Sequence, residues 1–428
     1  MKTVWLIIYN AIVLPLLWLI IMAVGLFKQK FRVGIAGRKN LFPNLQSQLA
    51  KLNGDSKRIW FHVSSLGEFE QAKPIISKLK ISHPEYKIIV SFFSPSGYEP
   101  SKKYKLADAI TYIPFDSYWN AKKFIRLVNP AAAIMIRYDL WPNHIWELKK
   151  HRIPLLITNA SMSRDTIRRY PLLKSFHQII YNTADCILTV GKNDLDVFKM
   201  FKLDYPKFDV MGDTRFDQVM LRSIESKKKH LIPAHISEGK KILVVGSSWE
   251  ADEEILFPVF YQLQNLIPNI LMVIAPHEPT SQNLERIENE LNGNTTYIRF
   301  SDLNDYSGEK IILVDSIGVL MALYQYADVA FVGGSFKSKI HNVLEPAVYG
   351  IPVVFGPHYA NSSEAVLLLN EGAGFSGNTE TEIFEILKNL FLHEEFRLQA
   401  GTKANEFVKK NLGATDKFIT YFEKLLLN

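Results

Sequence analysis

The chain has 428 residues, 47% of them hydrophobic, and its 50 Lys and Arg outnumber its 43 Asp and Glu for a net charge of +7. That length exceeds one typical domain and points to two α/β domains, and the basic balance fits an anionic membrane surface, an anionic substrate or nucleic acid. A single cysteine, Cys186, excludes an intrachain disulfide and a cysteine-rich metal site; beside Ile187 and Leu188 it reads as a buried, inert thiol.

From Thr3 to Phe27 the sequence is almost wholly apolar, interrupted by Asn10 and Pro15. It is long enough to span a bilayer as a helix. No clean small-residue cleavage site follows it, so an anchor is expected over residues 1–30 rather than a cleaved signal. Lys28, Lys30, Arg32, Arg38 and Lys39 come next, with no acid among them, and only Lys2 precedes. This asymmetry places the following domain on the cytoplasmic side and against anionic lipid. Trp5, Tyr9 and Trp18 suit interfacial depth, and the helix can span the membrane or lie in its interface.

Short, near-continuous apolar runs then alternate with longer helical patterns. Strands are predicted at 59–63, 87–92, 132–136, 154–159 and 186–190, as in a parallel sheet covered on both faces. The first domain is placed at 31–215. A charged, weakly patterned stretch with Lys227-Lys228-Lys229 and Pro233 marks a linker region at 216–240. A second strand series follows at 241–245, 270–275, 296–299, 311–314, 329–332 and 352–355, within a domain at 241–405. One last helix, from about 394 to 427, is expected to cross back over residues 406–428. Two Rossmann-like halves facing a cleft are implied, with ligands beyond the carboxyl ends of strands.

The strand ends carry the candidate chemistry. Ser64-Ser65-Leu66-Gly67-Glu68 closes the first strand and opens a helix. Glu68 there can take a proton from an attacking hydroxyl or merely complement the helix dipole. Arg137 can bind a carboxylate or phosphate, Asp139 can orient it or cap the next helix, and Trp141-Pro142 reads as structural. Arg215 fits an anion ligand or a salt bridge. In the second half, Ser247 and Ser248 follow Gly246 at a helix start and suit phosphate contact, and His277 can pack on a base. The densest pattern is Gly333-Gly334-Ser335 followed by His341-Asn342 and Glu345. A Gly pair lets backbone approach a ligand, a helix N-terminus suits phosphate, and a carboxylate one turn in can hold sugar hydroxyls. No metal-ligand spacing, no Gly-x-Gly-x-x-Gly and no P-loop pattern is present, so neither metal nor cofactor is expected.

Taken in order, these motifs resemble the bacterial 3-deoxy-D-manno-octulosonic acid (Kdo) transferases over nearly the whole chain. Ser64-Ser65-Leu66-Gly67-Glu68 resembles the family's Ser-Val-Gly-Glu element, whose glutamate is its proposed general base. Leu140-Trp141-Pro142-Asn143, Asn159-Ala160 with Ser163, and Phe216-Asp217 after Gly212 are similar to further landmarks. Phe331 to Ser335, His341-Asn342, Leu344-Glu345-Pro346-Ala347 and Gly356-Pro357-His358 with Asn361 resemble the nucleotide-binding end. The chain departs where Arg137 and Asp139 replace common glutamates, where Pro276 replaces an arginine, and where Lys339-Ile340 replaces a Gly pair. Lys337 or Lys339 can supply the missing charge.

The resemblance implies a GT-B fold and inverting transfer of Kdo from CMP-Kdo to a lipid A precursor at the inner membrane, with no nucleic acid as partner. Glu68 would be the base and Glu345 would fix the ribose. Two other readings stand beside it: another GT-B nucleotide-sugar transferase or epimerase, and a membrane-tethered binding protein without catalysis.

Overall fold

A computed structural model describes residues 2–52, 54 and 56–426. The chain divides into two compact units, Met1–Gln218 with Leu412–Asn428, and Val219–Asn411. The stretch expected as a linker holds the helix Thr214–Ser226 and a single turn, Ala234–Ser237.

The first unit is built on seven parallel strands: β1 (Arg58–Val63), β2 (Lys87–Phe92), β3 (Ala109–Tyr112), β4 (Pro130–Ile136), β5 (Leu155–Ala160), β6 (Cys186–Thr189) and β7 (Lys207–Val210). They lie in the order β3-β2-β1-β4-β5-β6-β7. β1 pairs with both β2 and β4, so the winding reverses between β1 and β4. That gap is the topological switch point where open α/β sheets bind ligands. β1 reads Arg-Ile-Trp-Phe-His-Val and is buried after its first residue, because helices cover both faces. β3 and β7 were not predicted. β3 is only four residues, and β7 is an edge strand whose Lys207 and Asp209 interrupt the apolar run.

The second unit repeats the plan with β8 (Lys241–Ser248), β9 (Ile270–Pro276), β10 (Tyr297–Arg299), β11 (Ile311–Leu313), β12 (Val329–Val332), β13 (Val353–Phe355) and β14 (Gly374–Ser376). Their order is β10-β11-β9-β8-β12-β13-β14, with the reversal between β8 and β12.

The expected single C-terminal helix is two. Glu394–Lys410 belongs to the second unit and Ala414–Leu426 to the first. Gly413 breaks the helix at φ +100°, which favours glycine. Asp217 then receives the backbone N–H groups of Gly413 and Thr415 at 2.8 and 2.7 Å and the Thr415 hydroxyl at 2.7 Å. Phe418 and Phe422 are wholly buried against the helix Leu66–Ser82 and its neighbours. Each such burial contributes about 1.5–3 kcal/mol.

The apolar segment Thr3–Phe27 is helical, long enough to cross a membrane, and mostly exposed. A π-helical turn, Tyr9–Val13, precedes Pro15, which cannot donate to the ladder. Trp5 and Tyr9, expected at headgroup depth, pack against protein in the first unit. Trp5 Nε1 donates to Ser175 Oγ at 3.0 Å, and Tyr9 donates to Asp116 at 2.8 Å. Asn10 and Asn143 exchange amide hydrogen bonds. Arg38, counted among lipid-facing charges, is also turned inward. Its guanidinium donates to the carbonyls of Gly34, Phe93 and Ile113 and lies over the rings of Phe93, Tyr112 and Phe115.

Candidate functional site

At the first switch point, β1 ends at Val63 and Ser65 caps the helix Leu66–Ser82. Glu68, its third residue, is 8% exposed and accepts the Ser64 N–H with one carboxylate oxygen. Its other oxygen takes no hydrogen bond among the described residues. Burial raises its pKa above the ordinary carboxylate value. The Ser64 N–H opposes this, Asp139 adds to it, and His62 and Arg137 oppose it.

Asp139 is held by the buried His62, whose Nε2 lies 3.1 Å from its carboxylate. His62 Nδ1 meets Ser91 Oγ at 2.9 Å, and Ser91 receives the Trp60 indole N–H at 2.8 Å. Arg137 donates to Gln71 at 3.0 Å, Gln71 donates to Asp213 at 3.0 Å, and Arg215 grips Asp213 at 2.7 and 2.9 Å. Burial would raise Asp213, but the Arg215 pairing leaves it below its ordinary value. Arg215 thus forms a salt bridge with Asp213. Asn159 accepts the Thr214 N–H at 3.0 Å and is wholly buried. The Leu-Trp-Pro-Asn element is architectural. Trp141 stacks on Phe93 at 4.9 Å, Pro142 starts a helix, and Asn143 binds the Asp116 backbone.

The second switch point gathers β8 and β12. Gly333 and Gly334 are needed here, but protein rather than ligand fills their space. A Cβ on Gly333 would lie 2.4 Å from Ser247 O, and one on Gly334, at φ +87°, would lie 2.2 Å from Lys339 O. Ser248 is buried and donates to Glu253 at 2.7 Å. Ser335 is buried and receives the Gly356 N–H at 2.7 Å. Both hydroxyls therefore tie loops together, whereas Ser247 stands at the strand end with φ +55°. Left-handed backbone at a non-glycine costs about 1–3 kcal/mol and clusters at functional sites. Arg137 at φ +64° and Asn159 at φ +51° share it at strand ends of the first unit.

His277 was read as a platform for a base; it is exposed, and protein rings already stack on it, Trp249 at 4.6 Å and His341 at 4.3 Å. The Trp249 indole N–H donates to His341 Nε2 at 3.0 Å. An indole nitrogen is a donor only, so His341 accepts at Nε2 and carries its proton on Nδ1. Burial, with His277 beside it, lowers the His341 pKa to about 4, so the ring is neutral at neutral pH. Lys337 Nζ sits 3.3 Å from the centre of the Trp249 ring, and Lys339 is exposed. The predicted helix after Asn342 is one turn, Leu344–Ala347, with Pro346 inside it, so it offers little dipole. Glu345 instead receives Asn342 Nδ2 and Arg222 Nη1, both at 3.3 Å.

Sequence reasoning missed His62, Gln71, Asp213, Trp249 and Asp252. Asp252 is wholly buried and binds the N–H groups of Trp249, Gly334 and Phe336 at 2.7–3.1 Å. A histidine inside an otherwise apolar strand, and an acid at the third position of the helix after β8, were the available signals.

A family model described as 3-deoxy-D-manno-octulosonic-acid transferase matches residues 35–218. The 3-deoxy-D-manno-octulosonic acid transferase of Aquifex aeolicus is 30% identical over 338 residues, 78% of this chain and 85% of that protein. The enzyme of the same description from Haemophilus influenzae is 27% identical over 440 residues, 99% of each chain. The UDP-GlcNAc 2-epimerase of Neisseria meningitidis, solved with UDP-GlcNAc, superposes with a TM-score of 0.60 at 14% identity, covering 87% of this chain and all of that one. The last likeness shows the fold, which is GT-B. The chain belongs to the 3-deoxy-D-manno-octulosonic acid transferases, glycosyltransferases of lipopolysaccharide assembly.

Proposed function

We propose that the chain moves Kdo from CMP-Kdo to a lipid A precursor, lipid IVA, with inversion at the anomeric carbon. The observation that carries this reading is Glu68: a buried carboxylate at a switch point, fixed through one oxygen, with the other free among the described residues, and a raised pKa. It takes the proton of the acceptor hydroxyl as that oxygen bonds to the anomeric carbon. The bond from that carbon to the CMP phosphate oxygen breaks with its electron pair, and the leaving phosphate takes the charge. The second unit holds the donor: His341 through Nδ1–H, Lys339 and Ser247 toward phosphate, with Gly333 and Gly334 shaping the loop and Asn342 and Glu345 toward ribose. Ser248 and Ser335 support that loop from within, and the exposed His277 stacks on His341 at its surface. Arg137, Asp139 and Arg215 line the acceptor side.

The apolar helix binds the chain to the cytoplasmic face of the inner membrane. Trp5, Tyr9 and Asn10 bond to the first unit near one end, and Ile21 is buried near the other. This supports a helix lying in the interface over one standing across the bilayer. The acceptor domain is assigned to 31–215 and the donor domain to 241–405.

Glu68→Gln tests the reading. Purified protein with a CMP-Kdo generating system and lipid IVA should add the mass of Kdo. The variant should lose about 10²–10⁴-fold in turnover while CMP still protects it from thermal unfolding. Full activity in the variant removes Glu68 from the role, and protection by UDP but not CMP points to another nucleotide sugar.

A further inference from the structure

A cavity of about 290 Å³ opens beside the proposed base. Its floor is Ser64 and Ser65, the turn that delivers the N–H to Glu68. One wall is Ile21 of the apolar N-terminal helix, and another is Phe31 and Ile35 of the helix Gln29–Gly37. Phe93 and Phe115 close the far side. Arg38 holds these walls in place through its carbonyl bonds to Gly34, Phe93 and Ile113.

Protein interiors are close-packed, and an apolar cavity at a strand end is a ligand feature rather than a packing defect. Three properties define the occupant. Ile21, Phe31, Ile35, Phe93, Pro95 and Phe115 make most of the wall apolar, and the Arg38 that shares it is spent on backbone carbonyls, so the cavity takes hydrocarbon rather than sugar. The cavity continues the membrane-facing helix, since Ile21 lines it while the adjacent Ile20 and Leu19 are 51% and 57% exposed. Lys30 lines the cavity and is exposed to solvent, which suits an anionic headgroup.

We propose that this cavity seats one acyl chain of the anionic lipid acceptor. The chain enters along the outer face of the N-terminal helix. Its headgroup is thereby held over Ser64 and Glu68 while the other acyl chains stay in the bilayer. This assignment rests on the reading of the acceptor as a lipid. It adds that acyl recognition occurs within the first unit, beside the base.

The first test compares lipid IVA with its fully deacylated, equally phosphorylated disaccharide, using the full chain in lipid nanodiscs. Wild type should show a KM at least tenfold lower for the acylated acceptor. Ile35→Trp, which fills the cavity, should raise that KM tenfold and leave kcat and KM for the deacylated acceptor unchanged. Equal effects on both acceptors, or no wild-type preference, overturn the proposal. Because a filled cavity can disturb folding, the wild-type chain is also illuminated with a lipid IVA analogue carrying a diazirine at one acyl terminus. Label on Phe31, Phe93 or Phe115 supports the cavity, and label confined to residues 4–20 overturns it. If wild type glycosylates neither acceptor, the proposed function fails, and the labelling still judges the cavity by itself.

Discussion

Trp249→Phe isolates the hydrogen bond that sets the His341 tautomer. Phenylalanine keeps an aromatic face against His277, now 4.6 Å from the indole, and a ring beneath Lys337, although a weaker one than tryptophan. What disappears is the indole N–H, 3.0 Å from His341 Nε2. A hydrogen bond of this kind is worth about 0.5–1.5 kcal/mol, and stranding the buried acceptor costs about 1–3 kcal/mol. His341 is only part-buried, and water can reach Nε2, so the lower part of that range applies. About 1–2 kcal/mol of lost binding is expected, which is roughly 5–30-fold in CMP affinity. The freed Nε2 can also accept a proton. The imidazole, neutral in wild type down to about pH 4, should then charge at a higher pH. Calorimetry with CMP at pH 7.5 gives the affinity. Nitrogen-15 NMR of the imidazole gives the tautomer, with the wild-type proton on Nδ1. The reasoning is refuted if the variant binds CMP within twofold of wild type, or if wild-type His341 carries its proton on Nε2.

Asp139→Asn keeps the contact with His62 Nε2 and removes a negative charge near Glu68. The charges acting on Glu68 are Asp139, His62 and Arg137, beside the Ser64 N–H. As the proposed base, Glu68 works when deprotonated, so activity is expected to fall as pH drops through its pKa. Removing Asp139 lowers that pKa and should move the acid limb of kcat/KM to lower pH; an unmoved limb would separate Asp139 from the base. Asp217→Ala removes three hydrogen bonds that seat the helix Ala414–Leu426. A loss of about 3 kcal/mol is expected, since hydrogen bonds to a charged group contribute about 1.5–3 kcal/mol each and do not add. This corresponds to a Tm of the first unit lower by roughly 6–12 °C, read by circular dichroism. A shift under 2 °C would show that Phe418 and Phe422 alone hold the helix.

Much of the architecture was legible because parallel strands buried on both faces leave near-continuous apolar runs. Ile88 to Phe92, Ser91 included, and Val329 to Val332 are wholly buried. β7 and β14 escaped because edge strands need no such run: Lys207 is exposed, and β14 is only Gly-Phe-Ser. At the sites, residue position was legible and side-chain direction was not. Ser247 and Ser248 are adjacent, but Ser247 is left-handed at φ +55° and the register shifts there, so regular strand alternation does not fix their directions. Only one of them turns to Glu253. The Gly pair was read as room for a ligand, whereas that room belongs to Ser247 and Lys339. The protein contacts of Trp5 and Tyr9 were not legible for a related reason. Hydropathy reports the average surroundings of a helix, and the face that meets protein differs by a few residues from the face that meets lipid.

The weight given to Glu68 rests on a comparison inside the chain. Glu68 and Asp252 hold equivalent places, each the third residue of the helix that follows the strand beside a switch point. Burial raises the pKa of both. A sequence cannot separate them, because an acid at that position satisfies orphan N–H groups whatever else it does. Their oxygens separate them. Asp252 gives both to backbone N–H groups, of Trp249 and Gly334 on one oxygen and of Phe336 on the other, and its role is complete. Glu68 is one methylene longer and, among the described residues, meets the backbone only at Ser64, with one oxygen. The second oxygen keeps a lone pair in a site where burial and Asp139 make proton binding more favourable. The structural role that sequence could not exclude for Glu68 is the one Asp252 fills, and the oxygen left over at Glu68 is what the proposed general base requires.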